Sequence, residues 1–218
     1  MGDFFRVLTD NWDIFSQGFV ATVKLFAIAG TGSLVLGTLL AGMRVSPIPA
    51  LRAFGATYVQ IIRNTPLTLI FAFLVFAVPK LEVNISFFAS ATVALLVYTS
   101  AFVCEVVRSG INTVQPGQAE AARAIGMNFT QVLGRVVLPQ AFRAIVPPLM
   151  SVQIALLKNT TVAAGFSVLE AGAITAYLSE RGEPQTSTLI WITIGFLLLV
   201  LPLIVAQRAI ERRWRASR

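Results

Sequence analysis

The chain has 218 residues, 56% hydrophobic and only 12% charged, with 17 basic and 10 acidic side chains, a single cysteine and no histidine. A water-soluble domain of this length needs far more polar surface to cover its core. One cysteine excludes an internal disulfide, and the sequence shows neither clustered metal ligands nor a nucleophile–base pair that would mark an enzyme.

The first segment, MGDFFRVLTDNWD, lacks the basic start and short apolar core of a signal peptide. Beyond it the apolar residues fall in long runs. Leu25–Met43 is uncharged over 19 residues and Thr186–Gln207 over 22, and at about 1.5 Å per residue either run crosses a hydrocarbon layer of roughly 30 Å. Five spans are predicted, at Phe19–Met43, Ala53–Val78, Phe87–Val107, Gln140–Leu157 and Ser187–Gln207. No Gly/Ser linker, low-complexity tract or internal repeat divides the chain, so residues 1–218 are expected to form one all-α transmembrane domain.

The charges orient these spans. Placing the N-terminus outside makes 44–63, 105–143 and 208–218 the inner segments. These hold 12 of the 17 basic residues, namely Arg44, Arg52, Arg63, Arg108, Arg123, Arg135, Arg143, Arg208, Arg212, Arg213, Arg215 and Arg218, against three acids. Short cytoplasmic loops retain Lys and Arg, so the C-terminal tail is expected inside, beside anionic lipid. The net charge of +7 is thus a topology signal, and no nucleic-acid partner is expected.

In the first span Lys24 is near the outer end, where it can snorkel to the headgroups. In the second, Arg63 comes ten residues after Ala53 in an otherwise uncharged stretch, a depth of about 15 Å for a straight helix. A buried arginine costs at least about 2.5 kcal/mol there. It therefore requires either a wet cavity or a partner from another helix, for which Glu105 is the candidate. Thr65-Pro66 follows and bends the helix, and a charge beside a helix break is a common way to build a transport site. Cys104 in the third span, set in an apolar run, reads as a packing residue.

Between the third and fourth spans lies Gln115–Ala141, QPGQAEAARAIGMNFTQVLGRVVLPQA. Pro116-Gly117 breaks the preceding helix, and Gln118–Ile125 is predicted as a short alanine-rich helix. Gly126 suits a left-handed C-terminal turn. Asn128 followed three residues later by Gln131 suggests a capped second helix running towards Pro139. Ala119, Ala121, Ala122 and Ala124 leave the first helix thin enough to approach another protein closely.

Here the chain resembles a known family. Gly117-Gln118, Glu120-Ala121-Ala122, Gly126 and Leu138-Pro139-Gln140-Ala141 are similar to the EAA loop of ABC importer permeases, in particular the polar amino-acid branch. Arg63-Asn64-Thr65-Pro66-Leu67, Tyr98-Thr99-Ser100-Ala101-Phe102 through Glu105 and Arg108, and Leu157-Lys158-Asn159-Thr160 agree with it in order, over nearly the whole chain. The resemblance implies the type I importer permease fold in a cell (inner or plasma) membrane. It also implies a second permease chain, identical or homologous, two separate ATPase subunits and an external substrate-binding protein. Glu120, Ala121, Ala122 and Gly126 carry over as the ATPase-coupling positions. ATP and Mg belong to the partner subunits, and this sequence has no G-x-x-x-x-G-K-[ST] phosphate loop and needs no cofactor of its own.

Arg63, Thr65 and Lys158 are the candidate substrate-pathway residues. Asn159 stands where the family commonly has an aspartate, which leaves Lys158 without an adjacent counter-charge. That change favours an anionic substrate, or else Lys158 lies at the outer interface. Glutamate is the leading expectation, with glutamine and aspartate next. An ion-coupled carrier would typically show more spans, repeats and intramembrane acids than this short chain.

Overall fold

Ala29, Ser33, Gly37 and Ala41 recur every four residues and are all buried, so the first long helix carries a ridge of small side chains against which another backbone can lie. The computed structural model, which describes residues 2–215 with side chains from 4 to 214, places that ridge at the centre of a helical bundle. Arg218 and the Arg215 side chain, counted above among the inner cations, lie outside the described residues. The helices are α1 (Gly2–Asp10), α2 (Trp12–Val45), α3 (Pro49–Asn64), α4 (Leu67–Ala72), α5 (Phe87–Asn112), α6 (Pro116–Ala124), α7 (Phe129–Val132), α8 (Leu138–Asn159), α9 (Ile174–Glu180) and α10 (Gln185–Arg215). No strand occurs among the described residues. The fold is all-α, as the sequence predicts.

Contacts across the bundle give the direction of each helix. Gly32 of α2 faces Leu96 of α5, and Gly37 faces Val103, so these two helices run parallel. A chain that descends twice in succession must climb between, and α3 with α4 and its π and 3₁₀ continuation to Leu81 makes that return. Gly110 faces Ile145 and Gly30 faces Gln153, which makes α8 antiparallel to both. In α10, Gly195 lies against Phe19, while the Gln207 amide donates to the Pro147 carbonyl at 3.3 Å and to Ser151 at 2.7 Å. Five crossings result, with the termini at opposite ends of the bundle.

Among the described residues four single helical rods are long and apolar enough to span, and α3 with Leu67–Leu81 forms a fifth, bent by 101°. This corrects the second predicted span. Pro66 has no amide proton and disfavours helical backbone in the residue before it, so Thr65 turns extended (φ −99°, ψ 129°) and α3 stops. The second arm, Leu67–Leu81, climbs along the bundle, and its α4 portion buries Leu67 and Phe71 against Leu25, Leu95 and Leu156. The fourth predicted span is also too short, because one rod runs from Phe129 to Phe166 over 38 residues. Pro139 does not end it. Pro139 cannot donate to the Arg135 carbonyl, and the ladder widens into a π turn at Leu133–Val137 before continuing as α8.

Candidate functional site

Two sets of residues stand apart from ordinary packing, both in the half of the bundle that holds Arg44. The first is the loop from α5 to α8. Pro116 does not break a helix here but opens one, since a proline at the first helical position gives up only an amide that would have no partner. α6 closes on Gly126, whose φ of +89° is left-handed. The Met127 amide bonds the Ala122 carbonyl at 3.1 Å and the Gly126 amide bonds the Arg123 carbonyl at 2.9 Å, the paired bonds of a Schellman turn. Asn128 then caps α7. Its Oδ1 accepts from the Gln131 amide at 3.0 Å, and the Gln131 side chain accepts from the Asn128 amide at 2.9 Å. Both predicted turn signals are present as geometry.

This elbow hides little. Ala122 is buried against the rest of the chain, whereas Glu120, Ala121 and Gly126 are exposed. Ile125 is 80% exposed and Phe129 67%. Two large apolar side chains thus flank the turn beside a thin helix that presents a carboxylate, a surface suited to another protein rather than to water.

The second set centres on Glu105 of α5. Arg44 from α2 and Arg63 from α3 both reach its Oε1, Arg63 at 3.4 Å, while Arg108 donates to Oε2 at 3.0 Å. Arg63 also lies 5.5 Å over the Phe102 ring, a cation–π arrangement. Because Arg44 and Arg63 share one oxygen, Arg63 sits at the level where α2 ends. The depth of about 15 Å expected for a straight helix does not hold, because α3 lies across α5 and the chain turns upward only after Pro66. The pairing with Glu105 is present, and a cavity with polar lining lies beside it. About 420 Å³ of space is lined by Arg44, Gln60, Arg63, Asn64, Phe102 and Glu105 among others.

The other pathway candidates lie elsewhere. Thr65 gives its hydroxyl to the Ile61 carbonyl at 2.8 Å as the end of α3, outside the cavity lining. Lys158 is exposed in the last turn of α8, towards the end of the bundle away from Arg44. Sequence reasoning missed Gln60 and Asn64. Their signal was available, since positions 60, 63 and 64 share one helical face. It also paired Glu105 with one arginine where the structure gives it three. A third omission is Glu170, fully buried in the turns after α8, where Oε2 accepts from the Thr22 hydroxyl at 3.1 Å. Cys104 is buried in the core, as its setting predicts.

Residues 33–216 match the family model described as "Binding-protein-dependent transport system inner membrane component". The chain is 34% identical over 97% of its length, and 98% of the relative's, to a probable glutamine ABC transporter permease protein, GlnM, of Bacillus subtilis. It is 39% identical to the glutamate transport system permease protein GluC of Corynebacterium efficiens, over 85% of this chain and 87% of that one. Its fold superposes on the crystal structure of an amino acid ABC transporter with histidines at a TM-score of 0.89 and 27% identity, covering 96% of this chain and 98% of that chain.

Proposed function

We infer the function from one premise: this chain belongs to the family of inner-membrane components of binding-protein-dependent transport systems. It is a multi-pass membrane permease of an ABC importer for amino acids. Within that assignment the elbow Pro116–Val132 is the seat of the ATPase subunits, two of which serve a pair of permease chains, with ATP and Mg bound on those partners and not here. Glu120 supplies the docking charge, Ala121 and Ala122 keep α6 thin, and Gly126 sets the angle between α6 and α7. The elbow faces the cytoplasm and the N-terminus faces outward, where a substrate-binding protein delivers its cargo.

The observation that carries this reading is the pairing of exposed Ile125 and Phe129 with a turn built into the base of the rod that runs on to Phe166. A partner gripping that turn holds one end of a transmembrane element. The transported solute is read as a polar amino acid, glutamate first, in line with the carboxylate-seeking cluster at Arg63 and with relatives named for glutamine and for glutamate. In the purified complex, Glu120→Lys or Gly126→Val is expected to leave membrane insertion intact while ATP hydrolysis no longer drives uptake. Uptake per ATP equal to that of the parent complex would refute the docking assignment.

A further inference from the structure

We propose that the end of α10 and the base of α8 form a binding site for an anionic phospholipid, with Arg208 and Arg212 taking the headgroup phosphate. The site requires only that α10 crosses the bilayer, and it takes no part in the transport chemistry described above. Gln207 bonds Pro147 and Ser151 of α8, and Glu211 accepts from Gln207 at 3.1 Å, so positions 207 and 211 mark the face turned to α8. About a third of a turn away, a second face carries Ile190, Leu197, Leu201 and Val205, then Arg208 and Arg212, all of them exposed. From Ile190 to Arg208 this stripe rises about 27 Å, close to the thickness of a hydrocarbon layer. It therefore turns from apolar to cationic at the depth of the lipid phosphates.

Charge complementarity names the occupant. Arg143, Arg208 and Arg212 are exposed and make no ion pair among the described residues. Glu211, the only acid in residues 184–214, is turned towards α8 and bonded there. Arg208 and Arg212 stand one turn apart, about 6 Å, so both can reach one phosphate, a group that the guanidinium fork suits. Arg143 comes one turn before Pro147, on the face of α8 that meets α10, and adds a third cation. Beside it the Trp214 ring lies 6.2 Å from Phe142, which is 62% exposed. Tryptophan favours the headgroup level. The acyl chain then runs along Val205 and Leu201. A zwitterionic headgroup brings no net charge to these cations, and a second copy of this face would set like charges against each other.

The test is tryptophan quenching on the permease–ATPase complex in nanodiscs that mix phosphatidylcholine with phosphatidylglycerol, one of the two brominated on its acyl chains at equal total bromine. The signal read is the part of the emission that Trp214→Phe removes. Brominated phosphatidylglycerol is expected to quench it more than brominated phosphatidylcholine. In a titration, the phosphatidylglycerol fraction for half-maximal quenching should rise about fivefold for each of Arg208→Gln and Arg212→Gln. Arg208→Lys with Arg212→Lys should keep the preference, which separates charge from folding, and Arg52→Gln, exposed on α3, should leave it unaltered. Equal quenching by the two lipids in the parent overturns the proposal, as does an undiminished preference in the double glutamine variant. Quenching by neither lipid overturns it as well, because a protein partner, an ATPase subunit or a second permease chain, then covers Trp214.

Discussion

Glu170 shows how much one buried acid can determine. It lies outside the spanning helices, and its carboxyl is pushed up from the ordinary glutamate value of 4.5, chiefly by burial, with the Gly172 amide and the Thr22 hydroxyl pulling partly back. The folded protein therefore keeps a proton that the unfolded chain releases. The resulting stability is full below 4.5 and is lost as pH climbs through the raised value. Melting of the detergent-solubilised protein should fall in temperature as pH rises above this point. Glu170→Gln keeps the shape and the neutral form, and its melting temperature should be flatter with pH. A parallel slope in both proteins would remove Glu170 as the source. The same acid holds α2 to the turns after α8, because Thr22 donates to it while accepting from the Ala171 amide at 3.0 Å.

Among the elements, the α2–α5 pair is the central contact, and its closeness depends on what is missing from Gly37. A Cβ there would come within 2.7 Å of the Ser100 carbonyl oxygen, a backbone atom that cannot swing aside. Gly37→Leu should separate the helices and cost about 1–3 kcal/mol or more, read as a lower melting temperature. Gly42→Ala, with nothing within 4 Å, should be neutral or slightly stabilising by the same measurement. Much of this architecture is legible in the chain. Long uncharged runs mark the spans, and the elbow is encoded locally by Gly126 and by the Asn128–Gln131 pair. Two features are not legible, for different reasons. The angle at Thr65-Pro66 depends on how α4 packs, and a proline states only that the helix is interrupted. The convergence on Glu105 joins Arg44 to a carboxylate 61 positions away, a relation with no local signal. Arg63 is legible as an anomaly but not in its depth, because that depth was reckoned along a helix that ends at Asn64.

For the molecule as a whole, five crossings put the termini at opposite ends, and the arginine bias predicts, as an expectation to be tested, which side each faces. Cys104 is buried, so in a Cys104→Ser background single cysteines report exposure through a membrane-impermeant maleimide. Glu82→Cys should label in intact cells, and Gly117→Cys only after permeabilisation. The opposite pattern would invert the orientation and place the elbow where no ATPase could reach it.

The rod from Phe129 to Phe166 has one mechanical consequence. Pro147 and Pro148 withhold two amide protons from the carbonyls of Arg143 and Ala144, and beside this gap Gln207 grips the Pro147 carbonyl. A shaft with two rungs gone and a clamp next to them pivots there more readily than it slides. Force applied at the elbow is then expected to emerge as a counter-swing at the far tip of the rod, without the shaft changing length.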